Sequence, residues 1–146
     1  MAIPVSILIC TRNRASHLRG TLRSVDQVSI PNSLRPAIVV VDNGSTDGTP
    51  ELLRDSPIDS MPFRWVMEPK PGVSNARNTA LREAQGDILL WLDDDVRVPT
   101  DWLRCMTRPI LEDEAEAITG KVDLPTPLKR SWMQPFHRTA LASTEP

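Results

Sequence analysis

The amino-acid sequence predicts an α/β fold: an open, mostly parallel sheet with helices on both faces. Three features of the chain predict it. Short, nearly continuous apolar runs rich in β-branched residues recur along it, as strands buried on both faces require. Helical stretches alternate with these runs, so each strand is followed by the kind of crossover that returns a chain parallel to itself. Polar clusters follow four of the runs, at the strand ends where such sheets collect their ligands.

Residues 5–10, Val-Ser-Ile-Leu-Ile-Cys, are the first strand, and Thr-Arg-Asn-Arg at 11–14 breaks it. From Ala15 onward, Leu18, Leu22 and Val25 recur at i, i+4 and i+7, one stripe of an amphipathic helix. Residues 37–41, Ala-Ile-Val-Val-Val, are a second buried strand, and Asp-Asn-Gly-Ser-Thr-Asp-Gly at 42–48 is a dense turn signal. A short helix is expected over 50–54, opened by Pro50. Residues 63–67 read as a third, weaker strand and Pro-Lys-Pro-Gly at 69–72 as a loop. A helix follows over 73–84, with Gly86 as its C-terminal cap. Ile-Leu-Leu-Trp-Leu at 88–92 is a fourth buried strand, closed by Asp93, Asp94 and Asp95. Pro99 and Thr100 open a helix from about 101 towards 111, and residues 117–122 read as a last strand.

Of the 146 residues, 40% are apolar and 25% charged, enough for one ordinary core and too apolar for disorder. The 17 Lys plus Arg against 19 Asp plus Glu leave a net charge of −2, which argues against the clustered basic surface that nucleic acid requires. The longest apolar run, 88–92, falls far below the roughly 18 residues of a transmembrane segment. The N-terminus has no basic region followed by an apolar stretch, so no secretory signal is expected. Cys10 and Cys105 lie in apolar segments without metal-ligand spacing, and are expected to be buried thiols of a cytoplasmic protein.

The acidic triplet is the sharpest chemical signal. In an extended segment residues i and i+2 point the same way, so Asp93 and Asp95 would present carboxylates to one hard cation. Oxygen-only ligands suit Mg²⁺ or Mn²⁺, which complete their shells with water and substrate phosphate. In the 42–48 turn, Asp42 or Asn43 has the groups to hydrogen-bond the edge of a base. Gly-Val-Ser-Asn-Ala-Arg-Asn at 72–78 opens a helix whose free N–H groups suit an anion, with Arg77 as a nearby cation. The bland readings of these segments are an acidic turn, a tight turn and a solvated arginine. Their common position after buried strands favours a site. His17 and His137 are isolated and receive no role.

Taken together, residues 5–14, 39–49, 72–78 and 90–95 resemble the nucleotide-sugar-binding half of a family 2 glycosyltransferase with the GT-A fold, with a looser match over 118–122. The resemblance implies that residues 1–124 form the nucleotide-sugar-binding subdomain and 125–146 the Pro-rich start of an acceptor-side region. It implies a UDP-sugar donor, a divalent Mn²⁺ or Mg²⁺, and inverting transfer to a hydroxyl of a glycan, lipid or small molecule. Thr11 and Asn13 would then line the nucleotide pocket, Asp42 or Asn43 would read the base, and Arg77 would lie towards the pyrophosphate. Asn43 stands where many relatives have a second Asp. Asp93 and Asp95 match the family's Asp-x-Asp motif, Asp95 as direct metal ligand and Asp93 near the ribose or acting through water.

The general base of the family is a carboxylate in a later, Gly-Glu-Asp-like motif. Asp101, Glu112, Asp113, Glu114, Glu116, Asp123 and Glu145 follow the triplet, and none stands in such a setting. The chain is therefore expected to be an N-terminal fragment, cytoplasmic or peripheral to a membrane, that binds donor without transferring it. Two other classes compete. A sugar-phosphate nucleotidyltransferase would carry glycines where 11–14 has none, and a non-catalytic nucleotide-binding module would need no base. A dehydrogenase is disfavoured, because Gly-x-Gly-x-x-Gly does not follow the first strand.

Overall fold

The computed structural model describes residues 1–55 and 58–121. Its elements are β1 (Ile3–Thr11), α1 (Ala15–Val25), β2 (Leu34–Asp42), α2 (Thr49–Arg54), β3 (Phe63–Met67), α3 (Val73–Glu83), β4 (Ile88–Trp91) and α4 (Trp102–Leu111). The chain divides into two compact units, Met1–Arg108 and Pro109–Pro146. The second is described only as far as residue 121, where Glu114 and Ala115 donate to the Pro109 carbonyl at 2.8 and 3.2 Å. Residues 117–121 form no strand, contrary to the expectation for 117–122. Val122 lies outside the described residues, as do the expected boundary after 124 and the Pro-rich segment 125–146. Among the described residues no helix is long and apolar enough to cross a membrane.

All four strands are parallel, in the order β3-β2-β1-β4. β1 and β2 pair in register from Ile3 opposite Leu34 to Thr11 opposite Asp42, so their polar carboxyl ends lie level. Successive side chains alternate between the faces. One face carries Leu8, Val39 and Val41, and on these pack Ala76 and Ala80 of α3, with Cys10, Val66 and Ala84 at the margin. Alanines one helical turn apart let α3 lie close over β1 and β2. The opposite face carries the buried Val5, Ile7, Ile9, Ile38 and Val40. The stripe Leu18, Leu22 and Val25 of α1 is buried too, as are Leu52 and Leu53 of α2, which touches α1.

Edge strand β4 pairs Leu8 with Trp91, and beyond it the Leu92 N–H still donates to the Leu8 carbonyl at 3.0 Å. The chain after β4 thus keeps running beside β1. Just before β4 the approach is tight. A Cβ on Gly86 would stand 2.4 Å from the Ser6 nitrogen and 2.7 Å from the Val5 carbonyl carbon. Gly86 is therefore required by close backbone contact, and the expected cap role is corrected: α3 ends at Glu83, with Ala84 as its cap residue.

Candidate functional site

β2 lies on one side of β1 and β4 on the other. In open α/β sheets the crevice at the carboxyl ends beside such a switch point is the usual ligand site. A cleft of about 290 Å³ opens there. Cys10 and Thr11 line it from β1, Arg12 and Arg14 from the next loop, and Gly72, Val73 and Ala76 from the start of α3. Asn43 and Asp94 complete it.

Thr11 and Asp94, 83 positions apart in sequence, meet in this cleft: the Thr11 hydroxyl donates to Asp94 Oδ2 at 2.7 Å. Asp94 is buried, whereas Asp93 and Asp95 are exposed and do not line the cleft. The expectation of an extended Asp93–Asp95 segment is corrected too, since a turn begins at Asp94. Arg14 explains how adjacent like charges coexist. Its Nη1 donates to Asp95 Oδ2 at 2.7 Å and to Asp94 Oδ1 at 3.4 Å. These carboxylates, Asp95 foremost, raise the guanidinium pKa above its ordinary value. From below, the Thr21 hydroxyl of α1 lies 2.9 and 2.8 Å from the Asp94 and Val96 carbonyl oxygens, anchoring the acidic loop.

The neighbouring loops are laced together. Asn13 adopts φ 53°, a left-handed conformation that Asn tolerates better than most residues. Its Oδ1 accepts from the Thr46 N–H at 2.7 Å, and its own N–H donates to Ser45 Oγ at 2.8 Å. Asp47 accepts from Ala15 N–H at 3.1 Å and Thr49 N–H at 2.9 Å, so one carboxylate serves the first residues of two helices. Hydrogen bonds from Thr49 and then Ala15 hold its carboxyl below the usual range. Asp42 is buried and accepts from the Ser45 N–H at 3.0 Å. Asn43 is turned onto the β3–α3 loop. Arg77 is exposed and lies over the Trp91 ring, 5.9 Å from its centroid, outside the cleft lining.

Burial pushes the half-buried Cys10 thiol up to about 11; Arg77 opposes the shift, and Asp94 and Asp93 add to it. Cys105 is exposed, not buried as expected, because α4 turns Leu103 and Thr107 inward instead. Sequence reasoning gave no separate role to Asp94 or Arg14. The need of three adjacent carboxylates for a compensating cation was the available signal for Arg14.

Oxygen-only donors at this strand end fit a hard divalent cation in kind. Among the described residues no three His, Cys, Asp or Glu side chains are grouped to enclose one. A hard cation bound here would be held by one or two carboxylates, with other ligands completing its shell.

The fold and this cleft define a parallel α/β domain with a cleft at its switch point, and comparison with known proteins gives its family. The Glycosyl transferase family 2 model matches residues 6–143, and the chain belongs to that family. The Rhizobium meliloti succinoglycan biosynthesis protein ExoM is 33% identical over 140 residues, 92% of this chain and 45% of that protein. Glycosyltransferase AglE of Haloferax volcanii is 30% identical over 125 residues, 84% of this chain and 40% of that protein. The chain thus spans less than half the length of these relatives. Among solved structures, S. aureus TarS 1-349 superposes with a TM-score of 0.67 at 24% identity, covering 78% of this chain and 33% of that one. It has also been solved with UDP and with UDP-GlcNAc. The Pyrobaculum calidifontis mannosyltransferase PcManGT, in complex with GDP-Man and Mn²⁺, matches with a TM-score of 0.62 at 31% identity, covering 70% and 33%. The fold is the Rossmann-like GT-A arrangement.

Proposed function

We propose that this chain forms the donor half of an inverting glycosyltransferase, binding a nucleoside diphosphate sugar, UDP-linked by preference, together with Mn²⁺ or Mg²⁺. The observation that carries the reading is the meeting of Thr11 and Asp94 in the switch-point cleft, with Asp93 and Asp95 on either side of Asp94. Complexes of similar proteins with UDP-GlcNAc and with GDP-Man and Mn²⁺ support it.

In this reading Thr11 and Asn13 shape the nucleotide end of the cleft, Asp42 holds the 42–48 turn, and Asn43 contributes its wall. Asp95 and Asp93 serve the cation, with Asp94 oriented between them by Thr11. Arg14 and Arg77 offer positive charge to the diphosphate as the bond to the sugar breaks. A bound divalent ion supplies Lewis-acid stabilisation of the departing diphosphate. An acceptor hydroxyl then attacks from the opposite face of the sugar, giving up its proton to a base. Asp94 is the one carboxylate lining the cleft among the described residues, and Thr11 and Arg14 already engage it. The base and the acceptor surface are accordingly assigned outside the described residues, and the acceptor is a hydroxyl of a glycan, lipid or small molecule.

Calorimetry with UDP and GDP, with Mn²⁺ or with EDTA, tests the reading. UDP should bind in Mn²⁺ and weaken at least roughly tenfold in EDTA, a loss of about 1.4 kcal/mol. Asp95→Asn should abolish most of that difference, and Glu114→Gln should not. Equal affinity with and without metal refutes the cation site. Binding without sugar transfer to any acceptor, in a chain extended to the length of its relatives, would favour a non-catalytic nucleotide-binding module instead.

A further inference from the structure

The loop between β3 and α3 has few hydrogen bonds of its own to make. Pro69 and Pro71 carry no N–H. Residues 68–72 belong to no helix or strand, so their covered polar groups must find partners elsewhere. Three of those groups go to a single side chain. Asn43 Nδ2 donates to the Glu68 carbonyl at 2.9 Å and to the Lys70 carbonyl at 2.8 Å, and Asn43 Oδ1 accepts from the Gly72 N–H at 2.9 Å. Both amide hydrogens are thereby used.

The clamp is itself anchored. Asn43 is 5% exposed, and its backbone N–H donates to the Thr11 carbonyl at 2.9 Å, extending the β1–β2 ladder past β2. From the other side, Glu68 accepts from the Lys70 N–H at 2.8 Å and from the Thr79 hydroxyl of α3 at 2.5 Å. The loop leads straight into Gly72, whose φ of 124° and carbonyl bond to the Ala76 N–H at 3.1 Å start α3. Gly72, Val73 and Ala76 line the cleft beside Asn43.

We infer that Asn43 is a positioning residue, which fixes the α3 wall of the cleft against the end of β2, and not a reader of the base. The role demands two donors and an acceptor on one planar group. Asn has them; Asp has the same shape and no donors. That the wall belongs to a nucleotide site rests on the function proposed above, whereas the clamp itself does not.

Asn43→Asp is the discriminating variant, because it turns the two donors into an oxygen facing two carbonyl oxygens. Hydrogen exchange on the nucleotide-free chain reads the loop, and calorimetry with UDP, GDP and ADP reads the cleft. The Lys70 and Gly72 amides should exchange at least roughly tenfold faster, while those of Ile7 and Ile38 keep their protection. Affinities for the three nucleotides should fall by a common factor, leaving their ranking unchanged. Asn43→Ala leaves the carbonyls free to take water, and should give the same pattern should the buried carboxylate prevent folding. Loop exchange at the wild-type rate in a folded variant overturns the inference, as does an affinity change confined to one base. A wild-type chain that binds none of the nucleotides overturns the donor-site reading, and the exchange rates still decide the clamp.

Discussion

Replacing Thr11 by Val removes one hydroxyl and almost nothing else. Thr11 is 4% exposed and its partner Asp94 8%, and they are joined at 2.7 Å, a distance typical of a charge-assisted bond. Arg14 does not take over the load: it reaches Asp94 at only 3.4 Å and its side chain is 47% exposed. A hydrogen bond to a charged group contributes about 1.5–3 kcal/mol net, and the buried carboxylate left behind keeps the penalty. With a urea m-value of about 1.5 kcal/mol/M, the midpoint should fall by roughly 1–2 M. Thr11→Ser keeps the hydroxyl and should lose less than half as much. The double variant Thr11→Val with Asp94→Leu should cost less than the sum of the two, since the same bond is counted in both. Urea titration followed by circular dichroism and tryptophan fluorescence measures the wild type and the four variants, Asp94→Leu alone included. A Thr11→Val midpoint within about 0.3 M of wild type would refute the view that this bond fixes β4's acidic end to β1.

Two further tests probe the surroundings of β1. Gly86→Ala drives a methyl to 2.4 Å from the Ser6 nitrogen, where only backbone can yield, so it should cost about 1–3 kcal/mol and lower Tm by several degrees; an unchanged melting curve would sink the close-contact argument. The Cys10 pKa is raised to about 11, so its thiolate is scarce at neutral pH and grows as pH rises towards that value. Iodoacetamide at pH 8 should therefore modify exposed Cys105 well before Cys10, with Cys10 accelerating roughly tenfold per pH unit above that. Equal rates at pH 8, read by peptide mass spectrometry, would contradict the burial of that thiol.

Much of the fold was legible in the chain. α1 begins at Ala15 and ends at Val25, and β3 spans Phe63–Met67, as the apolar stripe and the run at 63–67 indicate. The polar clusters at 11–14, 42–48 and 93–95 do gather at one edge of the sheet, because parallel strands put every carboxyl end on the same side. Strand boundaries were less legible. β1 and β2 run to Thr11 and Asp42, polar residues recruited into strands by pairing with each other.

Periodicity and turn chemistry act between residues a few positions apart, and so the sequence by itself determined the order of elements, their parallel crossovers and the strand ends at which polar chemistry gathers. Which carboxylate enters the cleft was decided only by tertiary structure. Asp94 and not Asp93 or Asp95 faces Thr11, because β4 pairs with β1 in one register and the chain turns at Asp94. The same holds for Gly86, whose need is set by the backbone of Val5 and Ser6, and for Asn43, whose partners lie 25 and 27 residues further along. In each case the deciding partner is distant in sequence, and its position exists only once the sheet has closed around β1.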